Sequence, residues 1–394
     1  MSADERWRFA WRVGAFFAAL FLIYGIHLPY LPVWLDWRGL SPSEIGVVTA
    51  APFFVRLLVT PLVALHADQT GGHRRLVIGL AWSAVAVALA LAYAPGFWTI
   101  LSTAVLFSLA VTTIMPLTET VAVSGVRHEG LDYGRMRLWG SLSFVAVTLI
   151  GGATIEGLGA GAGIWLIVAA CLLTALTSHL LPHPRRPMRQ GSGSPLAARR
   201  LPRLSEAAEL LRSPVFLWFL VAAGSIQAAH ATFYTFGALE WRRQGIPAGM
   251  IGALWMIGIA AEIALFAWSA AVMRRVWATT LLIAGGAAAV VRWAIMAFDP
   301  PLALLVPLQL LHGATYGAAH LGAIHFISRA VPDRTAGTAQ ALYATVAAGV
   351  AMGLATLLSG RIYDSFGGPT SYVAMAVIAA IGLAAAIAVR RLWT

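Results

Sequence analysis

Apolar residues recur in long, nearly uncharged runs, and about 20 such residues are what a helix needs to cross the hydrocarbon core of a bilayer. Scanned with that ruler, the chain holds twelve runs: residues 10–35, 43–67, 75–94, 97–124, 137–156, 161–181, 214–239, 248–273, 276–298, 301–328, 335–360 and 369–391. A soluble fold has no room for so much unbroken apolar sequence. Only 11% of the 394 residues are charged, against about a quarter in soluble domains. In lipid every backbone N–H and C=O must be satisfied internally, so the runs are expected to be helices. The expected fold class is therefore an all-α membrane protein with twelve transmembrane helices in two six-helix bundles. The first run is too long for the apolar core of a cleaved signal peptide and reads as a retained span.

Residues 182–213 interrupt the pattern. They carry Arg185, Arg186, Arg189, Arg199, Arg200, Arg203 and Arg212 around Gly191-Ser192-Gly193-Ser194, the composition of a polar, flexible linker. It divides the chain into an N-terminal bundle, 1–181, and a C-terminal bundle, 214–394, of six runs each. Six plus six around a basic loop is the pattern of transporters built from two parallel repeats.

All 27 basic residues are Arg, and the net charge is +11. Twenty-one of them lie on the side of the termini and linker, including Arg6, Arg8, Arg12, Arg74, Arg75, Arg127, Arg135, Arg274, Arg275, Arg329, Arg334, Arg390 and Arg391. Four lie opposite: Arg38, Arg242, Arg243 and Arg361. Positive charge accumulates on cytoplasmic loops, so both termini are expected in the cytoplasm. The same bias accounts for the basic pI without a nucleic-acid partner, since the charges are spread through short loops rather than gathered on one face. Cys171 is the single cysteine and cannot form an internal disulfide.

Ionisable residues inside the spans are the functional candidates, because each costs at least about 2.5–3.5 kcal/mol to insert. Arg56, Glu119, Glu262 and Arg292 qualify, with His27, His230, His312, His320 and His325 beside them. Glu156, Glu240, Asp36 and Asp299 fall at run ends and read as snorkelled interface residues. Helical spacing groups the candidates. Gln309, His312, Tyr316 and His320 share one face of the tenth run. Gln227, His230 and Tyr234 share a face of the seventh; Trp255, Glu262 and Phe266 share one of the eighth. Tyr24 and His27 are one turn apart in the first. Polar stripes beside aromatics read as cavity walls, or alternatively as hydrogen-bonding glue between helices. Two Arg and two Glu balance in charge and are open to mutual pairing. Alternatively, an Arg holds a substrate carboxylate bidentately while a Glu carries a proton.

At this point the residues resemble a family. The stretches Tyr24-Gly25-Ile26-His27-Leu28-Pro29, Val55-Arg56-Leu57, Gln227-Ala228-Ala229-His230-Ala231, Val291-Arg292-Trp293 and Leu310-Leu311-His312-Gly313 carry the likeness. The most specific is Leu131-Asp132-Tyr133-Gly134-Arg135-Met136-Arg137-Leu138-Trp139-Gly140-Ser141. The chain resembles the major facilitator superfamily, and within it the phenylpropionate-permease-like group related to lactose-permease-type proton symporters. The resemblance implies a Glu–Arg substrate pair at Glu119 and Arg137. It also implies substrate and proton roles for Glu262, Arg292 and His312. The carboxylate that those symporters carry one turn after the His is Thr315 here, so proton coupling either uses another group, Glu262, Glu119 or His312, or is absent. The superfamily's gating loop between the second and third helices is matched by Asp68, Gly71, Arg74 and Arg75, with Ala64 and Gln69 departing from it.

The resulting expectation is a proton-coupled secondary transporter working by alternating access and importing a small organic solute, in the first instance an aromatic carboxylate. His27, Arg56, Glu119, Arg137, His230, Trp255, Arg292, His312 and Tyr316 are expected to contact substrate. Asp68, Arg74 and Arg75 are expected to gate. An exporter working by proton antiport and a sugar or nucleoside symporter are the alternatives. A non-transporting receptor has little reason to hold Arg292 and Glu262 in the bilayer. An intramembrane enzyme is disfavoured by the lack of HExxH, GxSxG and metal-spaced carboxylates; His312 and His320 are two turns apart, too far to share one ion unaided. The expected partners are the solute and membrane lipids. No cofactor or metal beyond the coupling proton is expected, and the chain is expected as a monomer in a bacterial-type inner membrane.

Overall fold

The computed structural model describes residues 3–182 and 204–393. In chain order the helices are α1 (Ala3–Trp37), α2 (Pro42–Thr70), α3 (His73–Tyr93), α4 (Gly96–Glu129), α5 (Tyr133–Leu158), α6 (Ala162–Ser178), α7 (Leu204–Leu211), α8 (Pro214–Ala228), α9 (Ala231–Arg243) and α10 (Ala248–Ala267). They continue with α11 (Ser269–Arg275), α12 (Ala278–Met296), α13 (Leu302–Leu310), α14 (Ala319–Ala330), α15 (Asp333–Thr345) and α16 (Met352–Trp393). Wider π-helical turns, Gly313–Ala318 and Val346–Ala351, join α13 to α14 and α15 to α16.

The fold is all-helical, and the apolar runs lie on helices, though not one to one. Among the described residues ten stretches are long and apolar enough to cross a membrane, and α6 is a shorter apolar helix of 17 residues. The seventh run breaks at Ala229-His230 into α8 and α9. The eleventh and twelfth merge into one helical stretch, Asp333–Trp393, within which Gly367 alone leaves helical geometry, at φ 81°. That left-handed conformation favours glycine, and Pro369 two residues on resets the next segment. Most of the predicted linker, 183–203, lies outside the described residues; its end forms α7.

Helix ends follow local chemistry. Ser41 caps α2, its hydroxyl accepting from the Glu44 N–H, while the Glu44 carboxylate accepts from the Ser41 N–H at 2.8 Å, a reciprocal capping box. Asp132 caps α5 by accepting from the Arg135 N–H. Arg38 donates to the carbonyls of Ala92 and Ala94 at the end of α3. Arg74 donates to His179 and Leu181 beyond α6. Both guanidiniums thus satisfy orphan carbonyls at a negative helix end.

By contact, the chain forms two compact units, Met1–Gln190 with Trp241–Ala253, and Gly191–Glu240 with Leu254–Thr394. In the first, α1 packs on α5 and α6, while α4 packs on α2 and α3. Gly25 makes the α1–α5 approach possible: a Cβ there would stand 2.6 Å from Val147 Cγ1. Thr148 donates to the Gly25 carbonyl at 3.1 Å, and Tyr30 donates to the Thr148 carbonyl at 2.7 Å. In the second unit α16 packs on α8 and α12, and α12 packs on α14. Polar glue recurs there: Thr232, Ser359 and Ser371 join in a fully buried trio of hydroxyls. Small and hydroxylated residues are what membrane helices use to pack closely.

Candidate functional site

Arg292, about one turn from the C-terminal end of α12, is fully buried. Three neutral acceptors meet it, spaced three residues apart on the tenth run. Nη2 donates to Gln309 Oε1 at 2.8 Å, and Nη1 lies 3.2 Å from both His312 Nδ1 and Thr315 Oγ1. The planar group also lies over two rings, 4.5 Å from the Trp293 centroid and 4.8 Å from that of Phe233, a cation–π arrangement. Among the described residues no carboxylate pairs with it.

The donors and acceptors settle the histidine tautomers. A guanidinium only donates, so His312 Nδ1 accepts and its proton sits on Nε2. That atom faces Glu262 Oε2 at 3.5 Å. On His230, Nδ1 faces two carbonyls, Ile226 and Gln227, and therefore carries the proton. Its Nε2 accepts from the Thr315 hydroxyl at 3.0 Å. Thr315 thus gives its one proton to His230 and takes a hydrogen bond from Arg292. A chain of contacts runs Glu262–His312–Arg292–Thr315–His230, drawn from α10, α12, the tenth run and the break between α8 and α9.

Aromatic rings line this chain. Tyr234 stacks on His230, Phe233 on Trp255, Trp293 on Tyr372, and Tyr316 on His312. Several buried donors have no hydrogen-bond partner among the described residues: Arg292 Nε, Gln309 Nε2, Trp255 Nε1 and Trp293 Nε1. Unsatisfied buried donors are costly and ask for an explanation. Two of them, Arg292 Nε and Gln309 Nε2, belong to the cation and its own hydrogen-bond partner, so an acceptor-rich group is what the cluster lacks.

The other unit holds a second polar cluster. Tyr133 donates to Glu119 Oε1 at 3.2 Å. Arg137 does not ion-pair with Glu119; its Cζ lies 3.8 Å from the Phe21 centroid and 5.7 Å from that of Phe17. Its Nη1 is buried without a hydrogen-bond partner. Tyr24 donates to the Val111 carbonyl, His27 packs against Phe107, and Arg56 lies 4.7 Å over the Phe53 ring.

The structure therefore brings His230, Trp255, Glu262, Arg292, His312 and Tyr316 together in one unit, and His27, Arg56, Glu119 and Arg137 belong to the other. Of the gating candidates, Arg74 caps α6, Arg75 is exposed, and the Asp68 side chain lies outside the described residues. Three participants went unread in the sequence. Thr315 stood there only as a missing carboxylate. Tyr343, whose hydroxyl lies 3.1 Å from His320 Nδ1, gave no signal. Glu240, read as a snorkelled end residue, is instead buried and accepts a hydrogen bond from Tyr363; Gly368 supplies the space, since a Cβ there would strike its carboxylate. Its position at a run end concealed this.

Residues 10–374 match the MFS_1 like family. The chain is 31% identical over 365 residues to a probable 3-phenylpropionic acid transporter of Escherichia coli (strain K12), covering 91% of this chain and 92% of that protein. It is 29% identical to a maltose permease of Geobacillus stearothermophilus, covering 97% and 96%. A crystal structure of a mutant nucleoside transporter, NupG, superposes with a TM-score of 0.84 at 15% identity, covering 98% of this chain and 100% of that one.

Proposed function

The chain belongs to the MFS_1 like family and is a multi-pass membrane transporter rather than an enzyme; on that premise we propose that it imports a small aromatic carboxylate together with a proton, by alternating access. One observation carries the reading. Arg292 is a fully buried cation with only neutral partners, walled by aromatic rings and bordered by unpartnered donors. A carboxylate supplies the acceptors that these groups lack, bidentately, and a flat apolar body suits the rings. The 3-phenylpropionic acid relative has that chemistry in its name.

The same geometry offers a way to link solute and proton. While Arg292 donates to His312 Nδ1, that nitrogen cannot take a proton. A substrate carboxylate that draws the guanidinium away frees Nδ1. His312 then accepts a proton and becomes a cation beside the Glu262 carboxylate, 3.5 Å from its Nε2. Anion and proton load together, so the step adds no net charge to a low-dielectric site. We assign His230, Trp255 and Tyr316 to the solute walls; His27, Arg56, Glu119 and Arg137 are the solute-contact candidates of the first unit. Glu119 is held as a second proton-coupling candidate. The protein acts as a monomer in a bacterial-type inner membrane with cytoplasmic termini, the orientation that the Arg bias supports.

A sugar is the second reading. It is favoured by the Glu119–Tyr133 contact beside the unpartnered Arg137 Nη1, donors and acceptors suited to hydroxyls, and by the maltose permease likeness. Uptake by proteoliposomes with an imposed pH gradient, acidic outside, separates the two. Accumulation of 3-phenylpropionate and not of maltose or a nucleoside is expected; accumulation of maltose alone overturns the carboxylate assignment.

A further inference from the structure

Beyond the Arg292 cluster, the tenth run carries a second histidine, His320, that the loading step above does not use. His312, Tyr316 and His320 form a continuous stack along one face. The first two rings lie 5.5 Å apart at 15°, the next two 6.1 Å apart at 13°. In a straight α-helix, positions four apart drift steadily around the axis. Here the wider turn Gly313–Ala318 falls between His312 and His320. Such turns gather at functional positions.

Glu262 lies alongside this stack and not only against His312. α10 packs over Gly317, where a Cβ would stand 3.7 Å from Glu262 Cγ and 2.9 Å from Leu265 Cδ2. Gly317 falls between His312 and His320 in the chain, and its bare backbone is what lets Glu262 and Leu265 of α10 pack this closely against the run. The far end of the stack is fixed: His320 Nδ1 is 3.1 Å from the Tyr343 hydroxyl on α15. The ionisable groups facing His320 are Glu262 from α10, Tyr343 from α15 and Tyr316 on its own run. His320 also lies on the Arg-rich side of His312. Beyond it the chain passes Arg329 and Arg334, on the side that the charge bias makes cytoplasmic.

We propose that His320, held by Tyr343, is the release station for the coupled proton: the Glu262 carboxyl takes the proton from His312, swings across Gly317 and hands it to His320, which passes it to cytoplasmic water. The balance is simple. His312 gives up its Nε2 proton and is left neutral with the loaded proton on Nδ1, so it must revert to the Nε2 tautomer before Arg292 can donate to it again; Glu262 returns to carboxylate, and His320 is protonated only in transit. The inference rests on the proton-coupled reading of the preceding section and extends it to residues with no role there.

Exchange and net uptake separate the possibilities. In exchange the loaded carrier shuttles both ways without giving up its proton; net uptake requires release on every cycle. The experiment compares wild type, His320→Gln and Tyr343→Phe in proteoliposomes with 3-phenylpropionate, measuring gradient-driven uptake, exchange of internal for external labelled solute, and binding. Net uptake by His320→Gln is expected to fall about a hundredfold, the lower end of what a positioned proton-transfer group contributes. Exchange and binding should stay at wild-type levels, and Tyr343→Phe should show a weaker form of the same split. Parallel loss of exchange, uptake and binding in both variants would make His320 structural and overturn the proposal, as would unchanged uptake. Failure of the proton-coupled reading looks different: wild type itself then shows no response to the pH gradient.

Discussion

Thr315→Val removes one hydroxyl from the centre of the Arg292 cluster while keeping the side chain's shape. Two hydrogen bonds disappear: the one from Arg292 Nη1 at 3.2 Å and the one to His230 Nε2 at 3.0 Å. Arg292 keeps His312 and Gln309 as acceptors. His230 Nε2 has no substitute, because its other nitrogen is committed to backbone carbonyls. A charge-assisted bond contributes about 1.5–3 kcal/mol and a neutral one about 0.5–1.5 kcal/mol, so the loss is about 2–4 kcal/mol. Over 394 residues, at the usual unfolding entropy per residue, that lowers the melting temperature by about 2–5 °C. The assay is thermal unfolding of the detergent-solubilised protein followed by tryptophan fluorescence, with Thr315→Ser as control. The control keeps the hydroxyl and loses one methyl, about 1 kcal/mol. If Thr315→Val melts no lower than Thr315→Ser, the hydroxyl does not link Arg292 to His230, and the tautomer assignment built on it fails.

Arg292→Lys replaces a planar fork with a point charge; it should raise the half-saturation concentration for 3-phenylpropionate about tenfold, the equivalent of one charge-assisted hydrogen bond, and unchanged affinity in a binding titration would rule out bidentate contact. Glu240→Ala should destabilise by about 1–3 kcal/mol through the stranded Tyr363 hydroxyl, whereas Glu240→Gln, which keeps an acceptor, should melt close to wild type in the same unfolding assay. Gly25→Leu should cost about 3 kcal/mol by forcing α1 from α5, seen as a lower melting temperature; an unchanged value would mean that the close approach is not needed.

Much of this architecture was legible in the sequence because membrane spans are set by a coarse physical requirement, length without charge. Arg292, Glu262 and His312 stood out for the same reason: each is expensive where it sits. The shared face of Gln309, His312 and Tyr316 followed from spacing alone. What the sequence concealed depends on packing between distant segments. Thr315 is one of many membrane threonines, and only the positions of His230 and Arg292 make it a hub. Tyr343 acquires a role only because α15 brings it to His320. Glu240 sits where a charged side chain ordinarily reaches for water, yet Tyr363 and the bare Gly368 backbone hold it inside. The wide turn after His312 is also invisible to residue periodicity, since it changes the helix without changing the pattern of residue types. The two Arg and two Glu within the spans suggested mutual pairing; Arg292 instead found neutral acceptors, which is why it is now read as awaiting an anion.

The central claim is that solute and proton enter together through the Arg292–His312–Glu262 cluster. It is tested most directly in proteoliposomes with no imposed gradient, following external pH while 3-phenylpropionate is added. Wild type is predicted to raise the external pH as the anion carries protons inward, and Glu262→Gln to abolish that rise while still binding solute. Uptake of labelled solute by wild type without any pH change, or an undiminished rise in Glu262→Gln, would contradict the account.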